Sequence, residues 1–214
     1  MENEVLEVTE KKAEVGTMDA FANTEAFNNL YRMGNLLSES NIVPAAYQKK
    51  PTDCAVAIDM ANRMGVSPLF VMQNLSVVKG KPSWSGQACM SMIKASPEFD
   101  HVKPVYTGQR GTDSWGCYIE AVRKEDGEKI AGTEVTIKMA KDEGWYEKPG
   151  SKWKTMPEQM LAYRAAAFFS RVHIPNALMG CAVEGEVEDT RNVPVERPKD
   201  PFSIGGNADA IDGM

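Results

Sequence analysis

The sequence has few of the residues from which most metal and disulfide sites are built. It contains two histidines, His101 and His173, and four cysteines that lie far apart and form no C-x-x-C pair. So small a set leaves almost no ligands for a zinc site. Scattered single cysteines are typical of buried thiols in a reducing cytosol. We therefore expect no disulfide framework, no bound metal and no cofactor.

The common nucleotide-binding and hydrolytic motifs are also missing. No G-x-x-x-x-G-K-[ST] occurs, and residues 80–83 (GKPS) approach it with a proline that lacks the N–H needed for phosphate. The patterns G-x-G-x-x-G, G-x-S-x-G and H-E-x-x-H are absent as well. The carboxylates of the central region have no recognisable spacing for a metal-dependent nuclease. The sequence thus predicts no catalytic residue and a protein that does not break bonds.

No apolar run is long enough to span a bilayer. Residues 1–14 are acidic and lack the basic and apolar stretches of a signal peptide. We therefore expect a soluble protein of the cytoplasm. The length of 214 residues suits one domain with flanks.

The acidic charge is concentrated at the two ends of the chain. The net charge is −6, yet residues 1–39 and 183–214 each carry three basic and eight acidic side chains, so residues 40–182 are net positive by four. Polar, unpatterned ends of this kind favour disorder. We predict a disordered acidic arm over 1–22, a folded core over 23–184 and a disordered acidic tail over 185–214. A mildly basic core permits nucleic-acid binding without demonstrating it.

Apolar spacing and capping signals predict helices at both ends of the core. The expected helices cover 24–40 with Thr24 as N-cap, 52–64 closed by Gly65, a short helix opened by Ser67-Pro68, 85–95, 137–143 and 156–172. For the last helix, Thr155 and Glu158 form a T-x-x-E capping box.

Between the helices the sequence favours an antiparallel meander. A β-rich run over 75–79 turns at Gly80, and strands are expected over 101–107, 114–124 and 129–136, the last two joined by Asp126-Gly127. This order predicts an α+β fold in which an antiparallel sheet of three to five strands packs against helices.

Two arginines of the last helix are the most informative cations. Arg164 and Arg171 are seven residues apart, so both lie along one edge of the apolar stripe of the helix. They either form salt bridges with core carboxylates such as Asp59 or Glu134, or they bind consecutive phosphates. The spacing alone leaves both interpretations open.

Tryptophans among lysines form a second candidate surface. Trp84 lies near Lys79 and Lys81, and Trp153 lies between Lys152 and Lys154. Bases can stack on such rings while phosphates meet the ammonium groups, although a tryptophan more often anchors the core or its rim. In the predicted hairpin, Arg123 and Lys124 form either a positively charged tongue or an edge strand protected by charge.

A longer pattern joins these segments. It comprises residues 62–68 (NRMGVSP), 77–82 (VVKGKP), 140–145 (AKDEGW) and 153–171, which fits W-x-x-x-P-x-x-M-L-x-x-R-A…R. Over roughly residues 27–190 the chain resembles the phage single-strand annealing recombinases of the RecT and Red-beta families. The fit of Arg164 and Arg171 to basic positions of the Red-beta type favours phosphate contact, whereas Glu158 replaces a lysine.

The resemblance implies an annealing core that binds single-stranded DNA and pairs complementary strands without ATP. It also implies that the protein assembles into a homo-oligomeric ring or filament and holds an annealed duplex intermediate. The implied partners are a phage exonuclease and the host single-strand binding protein, and the implied location is the cytoplasm of a bacterial host. The candidate DNA-binding side chains are Lys79, Lys81, Trp84, Arg123, Lys138, Lys152, Trp153, Lys154, Arg164 and Arg171. A passive single-strand protector and a phage adaptor or structural protein that does not bind DNA are the competing hypotheses.

Overall fold

The computed structural model describes residues 23–186. In chain order its elements are α1 (Thr24–Ser38), α2 (Pro51–Met64), α3 (Pro68–Asn74), β1 (Leu75–Val78), β2 (Lys81–Trp84), α4 (Gly86–Ala95), β3 (Phe99–Thr107), β4 (Gly116–Arg123), β5 (Lys129–Ala131), β6 (Val135–Thr136), α5 (Ile137–Asp142), α6 (Pro157–His173), a 3-10 helix (Pro175–Leu178) and β7 (Ala182–Val183). The expected α+β class is confirmed.

Two sheets lie between the helices. The larger one is antiparallel: β4 is central, β3 pairs with one of its edges, and β5 and β6 pair with successive parts of the other. The smaller one has the order β1-β2-β7, with β1 antiparallel and β7 parallel to β2. The sequence indicated the antiparallel meander but neither β2 nor the parallel pairing of β7, which brings the end of the described chain back to its middle.

Several helix ends follow from local residue chemistry as expected. Gly65 closes α2 in the left-handed conformation at a φ of 65°. Ser67 caps α3, with Pro68 at the first helical position, and Ser85 caps α4 through a hydrogen bond from the N–H of Ala88. These caps orient α3 and α4 around the small sheet.

The predicted N-caps of α1 and α6 were wrong. Asn23, and not Thr24, accepts the first N–H groups of α1, those of Glu25 and Ala26. Met156, and not Thr155, is the N-cap of α6, so the expected capping box does not form. The cause is Pro157, because a residue that precedes proline is disfavoured in the helical region and the helix therefore begins at the proline itself.

The core lies where α6 packs against both α4 and β4. Its fully buried side chains include Phe169 on α6, Ile93 on α4 and Ile119 on β4. All four cysteines are buried and unpaired, as expected for structural thiols. The described part of the chain reaches Glu186, two residues past the predicted core boundary. The predicted disordered arm, 1–22, and the predicted disordered tail, 185–214, lie outside it except for residues 185 and 186.

Candidate nucleic-acid interface

Helix α6 places Arg164 inside the protein. Leu161, Ala165 and Phe169 are fully buried as the apolar spacing predicts, but Val172 is 66% exposed and Arg164 only 8%. Val172 was thus wrongly expected in the buried stripe, whereas Arg164, expected at the edge of that stripe, is covered by other residues. The physical reason is the segment between α5 and α6, whose Trp145 covers the guanidinium, with its ring centroid 3.7 Å from the central carbon.

Both arginines of α6 are held by the last described residues. Arg164 donates a hydrogen bond to the backbone carbonyl of Glu184. Arg171 pairs with the Glu186 carboxylate at 2.9 Å and donates to the Cys181 carbonyl at 3.1 Å. A partly exposed ion pair such as Arg171–Glu186 contributes about 0.2–1 kcal/mol, so it is weakly held.

The carboxylates that were named as partners of these arginines are engaged elsewhere. Asp59 pairs with Arg63 at 2.8 Å, one turn along α2. Glu134 accepts a hydrogen bond from the Thr107 hydroxyl. Both arginines thus have partners within the chain, as one of the two interpretations expected, but neither partner is Asp59 or Glu134.

An open cavity of about 260 Å³ lies in front of Arg164. We call it the Arg164 pocket. Its lining combines cations, rings and helix ends, and includes Gly86, Trp145, Lys148, Lys152, Trp153, Tyr163, Arg164 and Glu184. Lys148 and Lys152 are exposed, Tyr163 is half-buried, and Glu184 is the one carboxylate among these lining residues.

A compact loop carries the two pocket lysines. The Ser151 hydroxyl donates to the Trp145 carbonyl at 2.8 Å, and the Trp153 N–H donates to the Ser151 hydroxyl oxygen at 3.3 Å. The Trp145 and Trp153 rings pack together with centroids 5.9 Å apart. The tryptophan pair therefore anchors residues 145–153 and leaves the lysines at the rim.

The two tryptophans expected to stack on bases are core residues. Trp84 is 0% exposed and its indole N–H donates to the Leu178 carbonyl at 3.0 Å, while Trp153 is 5% exposed. A base needs an open ring face to stack on. The structure therefore contradicts a stacking role for Trp84 and Trp153 and confirms the alternative of core anchors.

Lys79 and Lys81 flank the turn between β1 and β2. Lys79 and Gly80 both have positive φ values, 48° and 78°, and both lysines are exposed. A second cavity of about 220 Å³, the hairpin cavity, is lined by Ser76, Val78, Ser83, Trp84, Ser85, Glu184 and Gly185. Glu184 and Gly185 thus line both this cavity and the Arg164 pocket.

Three other predicted DNA-binding cations lie outside the pocket lining and pair with carboxylates. Lys138 pairs with Asp142 at 2.7 Å and Lys154 with Glu147. Hydrogen bonding to the Asp142 carboxylate raises the pKa of Lys138. These pairs are exposed, so a phosphate can replace the carboxylate at modest cost.

The third paired cation is Arg123 in the β4–β5 hairpin. Its guanidinium lies 2.8 Å from both Asp126 and Glu128, and hydrogen bonding to Asp126 first, then its charge, raises the pKa of Arg123. Lys124 beside it pairs with Asp100 at 3.4 Å. The hairpin is therefore charge-compensated, which favours a protected edge over a positively charged tongue.

Glu158 has a partner that the sequence did not indicate. It pairs with Arg110 at 3.0 Å, and its backbone carbonyl accepts a hydrogen bond from the Tyr106 hydroxyl. The residue that departs from the lysine of the Red-beta type thus ties α6 to the end of β3.

The thiols and His173 occupy structural positions. Burial raises the pKa of Cys89 to about 12 and that of Cys117 to about 11. His173 lies against the Phe169 ring with centroids 4.3 Å apart, and burial lowers its pKa. Over residues 23–186 no group of three or more His, Cys, Asp or Glu side chains is arranged to hold a metal ion.

A third cavity has a different chemical character. It measures about 650 Å³ and is lined mainly by apolar and small side chains, among them Met64, Phe70, Met92 and Ile174, with Glu98 and His173 as its titratable residues. Without a lysine or arginine in its lining, it does not suit a phosphate backbone.

The sequence missed three residues of the Arg164 pocket: Trp145, Lys148 and Tyr163. The signal that could have found the first two is the loop 145–153 itself, where two lysines flank the run Pro149-Gly150-Ser151 between two tryptophans. Tyr163 gives no such signal, since it adjoins the pocket only because Gly86 of α4 approaches its backbone and Cβ closely.

Comparisons with protein-family models, with curated proteins and with solved structures find no match to this chain. Among the helices of residues 23–186, none has both the length and the apolar character needed to cross a membrane.

Proposed function

We propose that this chain binds single-stranded DNA and promotes the annealing of complementary strands without ATP. The observation that carries the proposal is the Arg164 pocket, where Lys148, Lys152 and Arg164 surround one open cavity with Tyr163 at its wall. Proteins that bind single strands combine cations for the phosphates with flat side chains for the bases. Here the cations come from one rigid helix and one anchored loop, so their spacing is preset.

The size of the pocket favours a segment of a polymer over an enclosed small molecule. Its volume of about 260 Å³ lies below the roughly 300–1,000 Å³ of pockets that enclose drug-sized ligands. An open cavity of this size fits one phosphate or one ring of a strand that continues past it on both sides. Lys79 and Lys81 at the β1–β2 turn provide further positive charge for such a continuation.

Energetics favour annealing without a fuel. Base pairing releases about 1.4 kcal/mol per stacked step, so the slow steps are the encounter of two like-charged strands and the melting of self-structure. Cations that neutralise one backbone reduce the repulsion, and a strand held extended loses its self-structure. Both effects accelerate pairing without any bond being broken.

The cellular setting in this proposal is the cytoplasm of a bacterial host during phage recombination. The protein would work as a ring or filament of identical subunits, beside a phage exonuclease that makes single strands and the host single-strand binding protein that covers them. These partners rest on the sequence resemblance to the RecT and Red-beta families.

An annealing assay with pure protein tests the proposal. Two complementary oligonucleotides, one labelled with a fluorophore and the other with a quencher, are mixed with the protein in the absence of nucleotide. We expect faster pairing with the wild type, and a clear loss of that acceleration in the double variant Lys148→Ala plus Lys152→Ala. A matched double variant, Lys103→Ala plus Lys129→Ala, removes two cations of the large sheet that do not line the pocket.

The outcomes separate the competing functions. Tight binding of one strand without faster pairing would identify a passive protector. Affinity that does not depend on salt would favour an adaptor, because a site contacting Z phosphates shows a log–log salt slope of about −0.7Z. Equal losses in the two double variants would contradict the assignment of the pocket.

A further inference from the structure

The segment Glu184-Gly185-Glu186, which we call the strap, separates two cavities. Glu184 and Gly185 line the Arg164 pocket on one side and the hairpin cavity on the other. The strap follows β7 directly, and the N–H of Glu184 donates to the Trp84 carbonyl at 2.8 Å. These two residues are thus a wall shared by both cavities.

The carboxylate and carbonyl oxygens of the strap accept hydrogen bonds from groups of the kind that bind phosphate, namely arginines and a helix N-terminus. The Glu184 carboxylate accepts from the N–H of Gly86, the first residue of the ten-residue helix α4, at 3.2 Å. The Glu186 carboxylate pairs with Arg171. Arginine forks and helix N-termini bind carboxylate and phosphate by the same hydrogen bonds and charge. The strap therefore occupies the donors that a DNA backbone would use.

The strap follows a very short strand and has a glycine at its centre. The strand before it, β7, pairs with β2 over two residues only. Gly185 has a φ of 93°, a conformation that favours glycine, and a side chain there would collide with the Arg164 guanidinium. Glu184 is exposed and Glu186 is half-buried. The residue before the strap, Val183 of β7, is fully buried, and its N–H donates to the Glu186 carboxylate at 3.2 Å.

We propose that the strap is an internal competitor of single-stranded DNA, and that a bound strand displaces it and joins the two cavities into one groove. The inference rests on the proposed function and specifies how that site is regulated. The opened groove leads from the β1–β2 hairpin, with Lys79 and Lys81 at its turn, to the loop that carries Lys148 and Lys152. Arg164, Arg171 and the N–H of Gly86 become available along it.

The test compares carboxylates of the strap with carboxylates elsewhere. The strap variant is Glu184→Gln plus Glu186→Gln. The control is Asp100→Asn plus Glu120→Gln, two carboxylates that each pair with one lysine of the large sheet and line neither cavity. Both variants change the net charge equally. We expect the strap variant to bind a mixed-sequence oligonucleotide about two- to fivefold more tightly than the control, the range set by the loss of the Arg171–Glu186 ion pair and of the negative charge beside the Gly86 N–H.

Hydrogen exchange gives a second, independent measurement. In the wild type, adding the oligonucleotide is expected to speed amide exchange at Glu184, because its N–H leaves the Trp84 carbonyl when the strap is displaced. Slower exchange there, or equal affinity of the two double variants, overturns the strap proposal while leaving DNA binding intact. If neither the wild type nor any variant binds single strands at low salt, the proposed function itself is wrong.

Discussion

Arg123 in the β4–β5 hairpin and the arginines of α6 are neutralised in different ways. Arg123 meets Asp126 and Glu128, three and five residues further along the same turn. Arg164 and Arg171 meet Glu184 and Glu186, which come from the end of the described chain after the 3-10 helix and β7. The hairpin partners are close in sequence, whereas the partners of the α6 arginines lie 15 to 20 residues further along the chain.

This difference determines which cations a ligand can recruit. The hairpin carboxylates stay next to Arg123 as long as the turn is intact, so they compete with any ligand for its guanidinium. The pairing on α6 separates when three residues of the strap move. An ion pair in the free protein therefore does not by itself exclude a cation from a binding site. Whether a ligand can displace the carboxylate depends on how firmly the backbone holds that carboxylate beside the cation.

The largest expected effect is on stability, and it distinguishes the two regions. Arg164→Ala removes a buried guanidinium stacked on Trp145 and its hydrogen bond to Glu184, which we expect to lower the free energy of unfolding by about 2 kcal/mol. Arg123→Ala at the exposed hairpin is expected to cause no measurable change. Urea denaturation of both variants measures this. Arg164→Lys keeps the charge without the flat face that stacks on Trp145, and it serves as the control. Equal stability of the wild type, Arg164→Ala and Arg164→Lys would contradict a stabilising role for this stacking.

A smaller effect is expected on the salt dependence of DNA binding. Arg171→Ala removes one proposed phosphate contact, so the log–log slope of affinity against salt becomes shallower by about 0.7. Arg123→Ala leaves the slope unchanged, because its carboxylate partners stay in the turn. Fluorescence anisotropy with a labelled oligonucleotide at several salt concentrations measures both slopes. A slope change in the hairpin variant and none in the helix variant would reverse the comparison.

The smallest effect is on the pH dependence of stability, through His173. This residue ends α6, and the charge of the hairpin residue Arg123 acts on it. Burial first, and then the charge of Arg123, lowers the pKa of His173. The unfolded chain therefore takes up a proton before the folded protein does, and the stability contributed by neutral His173 is present above about pH 6.5 and lost as the pH falls below it. Arg123→Ala is expected to raise the pKa of His173, measured by NMR titration, whereas Arg171→Ala leaves it unchanged. A lower pKa in the Arg123 variant would refute the charge effect.

The parts of the fold that depend on local chemistry could be predicted from the sequence. Gly65 needs a left-handed backbone and therefore ends α2, and Asp126-Gly127 forms the turn between β4 and β5. The start of α3 at Ser67-Pro68 was predictable, but the N-caps of α1 and α6 were not. At the start of α6 the proline prevailed over the T-x-x-E pattern, since its ring restricts Met156 whatever the neighbouring side chains offer.

The candidate site was predictable only in part. The sequence identified Arg164, Lys152 and the importance of the segment around Trp153, but it could not show which face of each side chain is covered. Burial of Trp84 depends on Leu178, ninety-four residues away, and the pairing of β7 with β2 has no local pattern, since two residues are too few for a strand signal. Long-range contacts of this kind decide between a core anchor and a binding surface.

The burial of all four tryptophans has a practical consequence for spectroscopy. Trp84, Trp115, Trp145 and Trp153 are each at most 6% exposed, so none offers a ring that an incoming base could quench by direct overlap. A change in intrinsic emission upon adding an oligonucleotide would instead report the surroundings of Trp145, the ring in contact with Arg164. Such a titration would follow the rearrangement of the protein itself, and the occupancy of the site would have to be read from a label on the nucleic acid.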